Sequence, residues 1–317
     1  MKVSIIAPMY NEQENVARTF SEVKKELDKY PIPDYEIIFV NDGSTDNTWE
    51  TARQLSEKNP SLKVVGYAKN KGRGHAIRTG FENAKGDIIV TIDFDLSYEP
   101  SHISRMIKAL EEDPQTDMIL ASAYMPGGRV DGVTGSKLFF SKWGNAILQH
   151  AFSKKIYTCT CVVRAYRKKV IDALLLESDG KEIHLEILSK ALANGFEVKE
   201  IPGFLQKRKF GKSKSKITAT SISHLIYFVH EKPFLIFGFV GFLLMIFGIL
   251  SSVILLYTRF ASDPEFNESI ISKMVSPNFV MMLFFSGMQM IAIGFLGIQN
   301  NLLKKELIKM QNFLRQK

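Results

Sequence analysis

Cysteine is scarce in this 317-residue chain, which holds two, Cys159 and Cys161. Two thiols so close together make neither a disulfide framework nor a four-ligand zinc site, so they are read as core packing. Charge is missing altogether from residues 234–257 and 278–299. At about 1.5 Å per residue, each stretch is long enough to cross a hydrocarbon layer of about 30 Å as a helix. No comparable stretch occurs in the first 230 residues, and residues 1–8 are too short and too soon broken by Pro8 to read as a signal peptide. These absences predict a soluble domain anchored from its C-terminal side. The glycine-rich stretch at 69–76 lacks the Gly-Lys-Ser/Thr of a Walker loop and the spacing of a dinucleotide fingerprint, which excludes both.

What the chain does have is basic charge, 41 Lys and Arg against 33 Asp and Glu, a net +8. Between Leu205 and Ile217 stand Lys207, Arg208, Lys209, Lys212, Lys214 and Lys216 with no acid. After the second uncharged stretch come Lys304, Lys305, Lys309, Arg315 and Lys317 against Glu306 alone, whereas the connection holds Arg259 and Lys273 against Asp263, Glu265 and Glu268. Positive flanks stay on the cytoplasmic side, so two spans would leave the N-terminal domain and both termini cytoplasmic. Basic residues bunched beside membrane segments suit anionic headgroups and phosphates, not nucleic acid. The expected divisions are a domain at 1–216, a juxtamembrane amphipathic helix at 217–233, spans at 234–257 and 278–299 with a non-cytoplasmic loop at 258–277, and a basic tail helix at 300–317.

Within the domain, short apolar strands alternate with amphipathic helices. Residues 3–7, 36–40, 62–67 and 87–92 read as strands. Val16, Phe20, Val23 and Leu27 mark a helix that Asn11 would cap, Asp46 begins a second, and residues 75–84 form a third. This order predicts a mostly parallel α/β sheet with helices on both faces and ligands beyond the carboxyl ends of its strands. At those ends stand Pro8-Met9-Tyr10-Asn11-Glu12, Asn41-Asp42-Gly43-Ser44-Thr45-Asp46, Lys69-Asn70-Lys71-Gly72-Arg73-Gly74-His75-Ala76 and Asp93-Phe94-Asp95. The third offers amides, cations and a helix start, a combination that suits phosphate. Two carboxylates at i and i+2 of an extended chain point the same way, and such hard oxygens suit Mg²⁺ or Mn²⁺ when phosphate completes the shell. By the same alternation Cys159 and Cys161 would share one face of a strand.

Together, and in register over residues 1–216, these motifs resemble family 2 glycosyltransferases of the GT-A fold, and within them the polyprenyl-phosphate sugar synthases, the dolichyl-phosphate mannose synthase group. The resemblance implies a GT-A domain with two C-terminal transmembrane helices. It implies transfer of a sugar, with inversion, from a nucleotide-diphosphate sugar (GDP-mannose or UDP-glucose type) to a polyprenyl or dolichyl phosphate. Pro8, Tyr10, Asn11, Glu12, Asp42, Lys71, Arg73 and Asp93 would then bind the nucleotide-sugar. Asp93, Asp95 and Ser97 would serve Mg²⁺ or Mn²⁺, and Asp95, Arg208 and Lys214 would carry catalysis. Lys137, Lys142, Arg208 and Ser213 would receive the acceptor phosphate. A phosphate monoester is largely dianionic near neutrality, with a second pKa of about 6, and needs no strong base.

Two segments depart from that family. Ser122-Ala123-Tyr124 stands where it often has Ser-Arg-Tyr, and Tyr157-Thr158-Cys159-Thr160-Cys161 where mannose synthases place an Asp. Lys137, Lys142 or Arg129 would supply the missing positive charge. These departures keep open a nucleotide-binding membrane pseudoenzyme. A hydroxyl-directed, glycan-elongating transferase stays open through Glu182 and Glu186, beside His184, although these residues read first as a solvated helix face over Leu185 and Leu188. No Gln-x-x-Arg-Trp segment is present, and two spans are too few for a processive polymerase. Residues 137–155, with Phe139, Phe140 and Trp143 among lysines, and residues 217–230 read as helices in the headgroup plane. Gly238, Gly241, Gly248, Gly287, Gly294 and Gly297 would permit close helix approach and self-association in the membrane.

Overall fold

Runs of β-branched and apolar residues set the strands. A computed structural model describes residues 1–30, 32, 34–131, 156–206, 232–260 and 276–315. The chain forms two compact units, Met1–His224 and Leu225–Lys317. In the first, β1 (Lys2–Met9), α1 (Val16–Lys29), β2 (Asp34–Asp42), α2 (Thr48–Glu57), β3 (Leu62–Tyr67), α3 (Arg73–Asn83) and β4 (Ile88–Thr91) alternate as the sequence predicts. Then come α4 (Ser101–Glu112), β5 (Met118–Ser122), β6 (Arg129–Val130), β7 (Arg164–Arg167), α5 (Lys168–Ala173), α6 (Ile183–Ala193), β8 (Val198–Pro202) and β9 (Phe204–Leu205). The main sheet has the order β3-β2-β1-β4-β7-β5-β8, and β7 runs antiparallel to both its neighbours. A small parallel pair, β6 with β9, stands apart from it.

Alternation along β1 divides the core. Val3, Ile5, Ala7 and Met9 join Val16, Phe20, Val23 and Leu27 of α1 and Ile103, Met106, Ile107 and Leu110 of α4. Apart from Ala7, each such buried side chain contributes about 1.5–3 kcal/mol relative to exposure. On the opposite face Ile6 meets α3 so closely that Gly80 has no room for a Cβ, and Phe81 packs edge-on against Tyr166 with centroids 5.6 Å apart.

Three expectations need correction. Cys159 and Cys161 lie in a turn ahead of β7, not on a strand. The cause is Arg164, fully buried, whose guanidinium donates to the carbonyls of Cys159 (2.7 Å), Cys161 (2.8 Å) and His184 (2.7 Å) and winds the preceding chain around itself. Both cysteines are buried and outside any disulfide, as core packing requires, and burial pushes the Cys159 thiol up to about 12. Asn11 does not cap α1, because a short 3-10 turn, Gln13–Asn15, intervenes. The face bearing Glu182, His184 and Glu186 is not solvated: His184 and Glu186 are buried, as are Leu185 and Leu188.

The second unit is a pair of helices, α7 (Pro233–Phe260) and α8 (Pro277–Arg315). Their apolar parts, Pro233–Tyr257 and Pro277–Leu303, are long and apolar enough to cross a membrane. The two pack through their glycines. A Cβ on Gly241 would lie 2.6 Å from the Gly287 carbonyl oxygen, and one on Gly248 would meet the Phe284 ring at 3.2 Å. These small residues are thus used within the chain, where small-to-small contact lets backbones approach.

Candidate active site

The parallel strands β3, β2, β1 and β4 bring their following loops to one rim. In register, Met9 lies beside Asn41, and Asn41 and Asp42 lie beside Gly66 and Tyr67. The first two loops are laced together. The Asn11 amide donates to Ser44 Oγ (2.9 Å), the Thr45 amide to Asn11 Oδ1 (2.7 Å) and the Glu12 amide to Thr48 Oγ1 (2.7 Å). Asn11 takes φ +52° at this corner, a left-handed conformation that Asn tolerates better than most residues. Pro8, Tyr10, Asn11 and Glu12 all remain partly exposed along the rim.

Asp42 is more committed than the sequence suggests. It is 5% exposed, and its Oδ1 accepts Tyr67 Oη (2.8 Å) and the amides of Lys71 (2.9 Å) and Gly72 (3.0 Å). Its Oδ2 accepts Asn70 Nδ2 at 3.0 Å. Burial, followed by the bond to Asp42, pushes the Tyr67 phenol well up, so it stays protonated as a donor. Asp42 therefore shapes the loop that presents Lys71 and Arg73. Gly43 takes φ +64° with its α-carbon against the Lys69–Asn70 peptide, so a side chain fails there on both counts.

The amides expected to cradle phosphate are spent inside the protein. Those of Lys71 and Gly72 go to Asp42, and those of Gly74 and His75 go to the carbonyl of Asp179, at 2.7 and 3.3 Å. The cations remain on the surface. Lys71 Nζ lies 5.2 Å from the centroid of Tyr67, and Arg73 Nη1 lies 3.9 Å from Asp93 Oδ1.

β4 ends at Thr91, so the acidic triplet sits in a turn beyond the strand. The alternation survives. Phe94 and Leu96 are buried, Phe94 edge-on to Phe39 at 4.8 Å, while Asp93, Asp95 and Ser97 stay half-exposed. Thr19 Oγ1 fixes the turn by donating to the Phe94 carbonyl at 2.6 Å, and Asp95 Oδ1 accepts both the amide (2.9 Å) and hydroxyl of Ser97. Among the described residues no cluster of three or more His, Cys, Asp or Glu completes a protein metal cage. Two half-exposed carboxylates fit an ion that keeps most of its octahedral shell for phosphate and water, the habit of Mg²⁺. Arg208, Ser213, Lys214, Lys137 and Lys142, and both expected headgroup helices, lie outside the described residues. Arg129 is exposed on β6.

The two departing segments meet. Ser122 Oγ and Thr158 Oγ1 are 2.7 Å apart in a buried contact, and the amides of Tyr157 and Thr158 donate to Glu200 at 2.7 and 2.9 Å. Sequence reasoning missed Asp179 and Arg164. Ser178-Asp179-Gly180 reads only as a turn, and nothing local signals that it docks on α3 from about a hundred positions away.

The family model described as "Glycosyl transferase family 2" matches residues 4–175. The chain is 36% identical to a dolichol-phosphate mannosyltransferase of Pyrococcus furiosus over 68% of its own length and 60% of the relative's, thus spanning less than two thirds of that protein. It is 29% identical to an undecaprenyl-phosphate 4-deoxy-4-formamido-L-arabinose transferase of Serratia proteamaculans, over 93% of this chain and 87% of that one. Its fold is shared by glucosyl-3-phosphoglycerate synthase from Mycobacterium tuberculosis, solved with Mn²⁺, UDP and phosphoglyceric acid, at a TM-score of 0.54 and 15% identity over 73% of this chain and 78% of that one. With the family model covering more than half of its residues, the chain belongs to glycosyl transferase family 2.

Proposed function

We propose that this protein is a membrane-anchored, inverting glycosyltransferase that moves a sugar from a nucleotide-diphosphate donor, of GDP-mannose or UDP-glucose type, to a polyprenyl phosphate. The observation that carries the reading is the half-exposed pair Asp93 and Asp95 beside Arg73, at the rim formed by the parallel strand ends. Relatives named for dolichol phosphate and undecaprenyl phosphate support the acceptor class. In this reading Pro8, Tyr10, Asn11 and Glu12 line the nucleotide, while Asp42 holds the Lys71–Arg73 loop against it.

Bound at Asp93 and Asp95, with Ser97 nearby, Mg²⁺ or Mn²⁺ would supply Lewis-acid neutralisation of the departing diphosphate. Arg73 adds fixed positive charge on the same side. Arg208, Ser213 and Lys214, with Lys137 and Lys142, would hold the acceptor dianion in line with the anomeric carbon. α7 and α8 would keep that site at the membrane, with the domain and both termini cytoplasmic. Glu186 weighs against a hydroxyl acceptor. Its carboxylate accepts the amides of Glu177 (3.0 Å) and Ser178 (2.8 Å) and pairs with Lys190 at 2.5 Å, which leaves it poorly placed to deprotonate a sugar.

Membranes carrying the protein, incubated with labelled GDP-mannose, UDP-glucose or UDP-GlcNAc, polyprenyl phosphate and Mn²⁺, are expected to move label into the organic phase with one donor. No transfer with any of them would overturn the reading in favour of a nucleotide-binding pseudoenzyme.

A further inference from the structure

The short strand β9 is held along both of its edges. On one, the Arg129 amide donates to the Gly203 carbonyl (2.9 Å) and the Asp131 amide to the Leu205 carbonyl (2.8 Å). On the other, Leu205 bridges Tyr98, and the Gln206 amide donates to the Ser97 carbonyl at 2.7 Å. A Cβ on Gly203 would lie 2.9 Å from the Tyr98 ring, so this close approach needs glycine. Through Ser97 the strand reaches the acidic turn, because Asp95 Oδ1 accepts the Ser97 amide at 2.9 Å. The residue after Gln206 is Lys207, which opens the basic run.

Further support comes from the start of α4. Glu99, His102 and Arg105 stand three positions apart and so face one side of a helical turn. The Glu99 carboxylate accepts Gln206 Nε2, and the Arg105 guanidinium lies 5.5 Å from the centroid of the Phe204 ring. His102 is fully buried, edge-on to the rings of Tyr98 and Phe204 at 5.6 and 5.5 Å. The Phe204 amide donates to its Nε2 at 3.0 Å, and its Nδ1 lies 2.7 Å from the Glu99 carbonyl. A carbonyl oxygen can only accept, so Nδ1 carries the hydrogen, Nε2 the lone pair, and the imidazole is neutral. Burial holds its pKa below the ordinary 6.5, and the charged groups facing it are Glu99 and Arg105.

We propose that His102 is a positioning residue for the acceptor: its neutral imidazole holds β9 against the Asp95–Ser97 turn, so that the chain enters the basic run from a fixed point. The inference rests on the transferase reading of that turn and that run. A proton on Nε2 sets N–H against N–H and frees the strand end, so the hold is present at neutral pH and lost on acidification.

The test compares the full-length wild type, His102→Leu and His102→Gln for nucleoside diphosphate binding, KM for polyprenyl phosphate, and amide exchange over residues 203–206. His102→Leu should raise that KM about 10-fold, the size of one hydrogen bond, and speed exchange at Phe204 while leaving diphosphate binding unchanged. His102→Gln keeps an acceptor oxygen without titrating. It should restore most of the KM and show a smaller rise in KM than the wild type as pH drops from 7 to 5. The acceptor phosphate itself gains a proton at about pH 6, so the difference between the two proteins is the measure. An identical pH profile in both would overturn the proposal. An unchanged KM in His102→Leu, or an equal loss of diphosphate binding, would overturn it in favour of a packing residue. If His102→Leu does not fold, Gln206→Leu removes the bond to Glu99 from the half-buried end of the same strand. It should raise the acceptor KM alone, and no rise would count against the proposal equally. A wild type that binds diphosphate but transfers no sugar removes the transferase reading and this role with it. An active wild type whose acceptor KM is indifferent to residue 102 removes this role alone.

Discussion

Asp42→Asn separates two roles that one carboxylate can play. If Asp42 served only to meet the base or ribose, the isosteric amide would weaken nucleotide binding and leave the empty protein as stable as before. The structure assigns it a second task, holding Tyr67, Asn70, Lys71 and Gly72 through four donors while 5% exposed. An amide keeps one acceptor oxygen and turns the other position into a donor facing Asn70 Nδ2. Asn70 must then flip, giving up its 3.0 Å bond to the Asp42 carbonyl. Bonds to a charged group are worth about 1.5–3 kcal/mol and neutral ones about 0.5–1.5, so four weakened bonds and one lost bond sum to roughly 5 kcal/mol before relaxation. Relaxation and non-additivity reduce this to about 2–3 kcal/mol. For a unit of this size that is a fall in Tm of roughly 4–12 °C.

The assay is thermal unfolding of the nucleotide-free protein in detergent, read beside amide exchange of residues 69–74. The expected result is a lower Tm with faster exchange at Lys71 and Gly72, and weaker nucleoside diphosphate binding as a consequence. An unchanged Tm with unchanged exchange, alongside weakened binding, would refute the reasoning and return Asp42 to direct nucleotide contact alone.

Three further outcomes are expected. Asp95→Asn should lower sugar transfer by at least about 100-fold, the size of losing a leading electrostatic group, and retained transfer would remove Asp95 from the site. Gly241→Leu would force a side chain into the Gly287 carbonyl, 2.6 Å from the first added carbon, and should destabilise the α7–α8 pair by about 1–3 kcal/mol in detergent unfolding. If it changes the oligomeric state with unfolding unaltered, the glycines serve contact between chains instead. His102 supplies a pH dependence. Burial lowers its pKa below the ordinary 6.5, Nε2 accepts the Phe204 amide at 3.0 Å, and Nδ1–H donates to the Glu99 carbonyl at 2.7 Å. The unfolded chain gains a proton near 6.5 that the folded chain resists, so stability should fall as pH drops below that value. A pH series of Tm from 7 to 5 measures this, and the same slope in His102→Gln would exclude His102 as its source.

The legible part of the fold was the part with local causes. Each of the first four strands is a short apolar run, and α1 announces itself by four apolar residues at helical spacing. Asp93 and Asp95 were legible for the same reason, because the alternation that buries Phe94 exposes its neighbours wherever the strand ends. What stayed hidden was set by partners distant in sequence. Arg164 looks like an ordinary charged residue until its three carbonyl partners are seen, and the strand expected over Cys159 and Cys161 gives way to them. The amides at 71–75 looked available for phosphate because no local pattern shows that Asp42 and Asp179 already hold four of them.

That last correction bears on how the domain handles negative charge. With the amides of Lys71, Gly72, Gly74 and His75 spent, that loop offers side chains and not backbone to any phosphate in the proposed reading. Ala123 is 5% exposed and Thr158, bonded to Ser122, is 4% exposed, so the two departing segments meet in a closed patch whose Tyr157 and Thr158 amides are held by Glu200. No rotamer of Ala123 or Thr158 restores a cation. In the proposed reading positive charge enters from other elements, and on the described rim Lys71 and Arg73 are the exposed side chains that would bring it. The glycines at 72 and 74 then acquire a reason beyond turning the chain. By letting the 178–180 backbone lie directly on the start of α3, they fix the Arg73 end of that helix, so that enlarging either glycine should displace that backbone and weaken nucleotide binding in a direct binding assay.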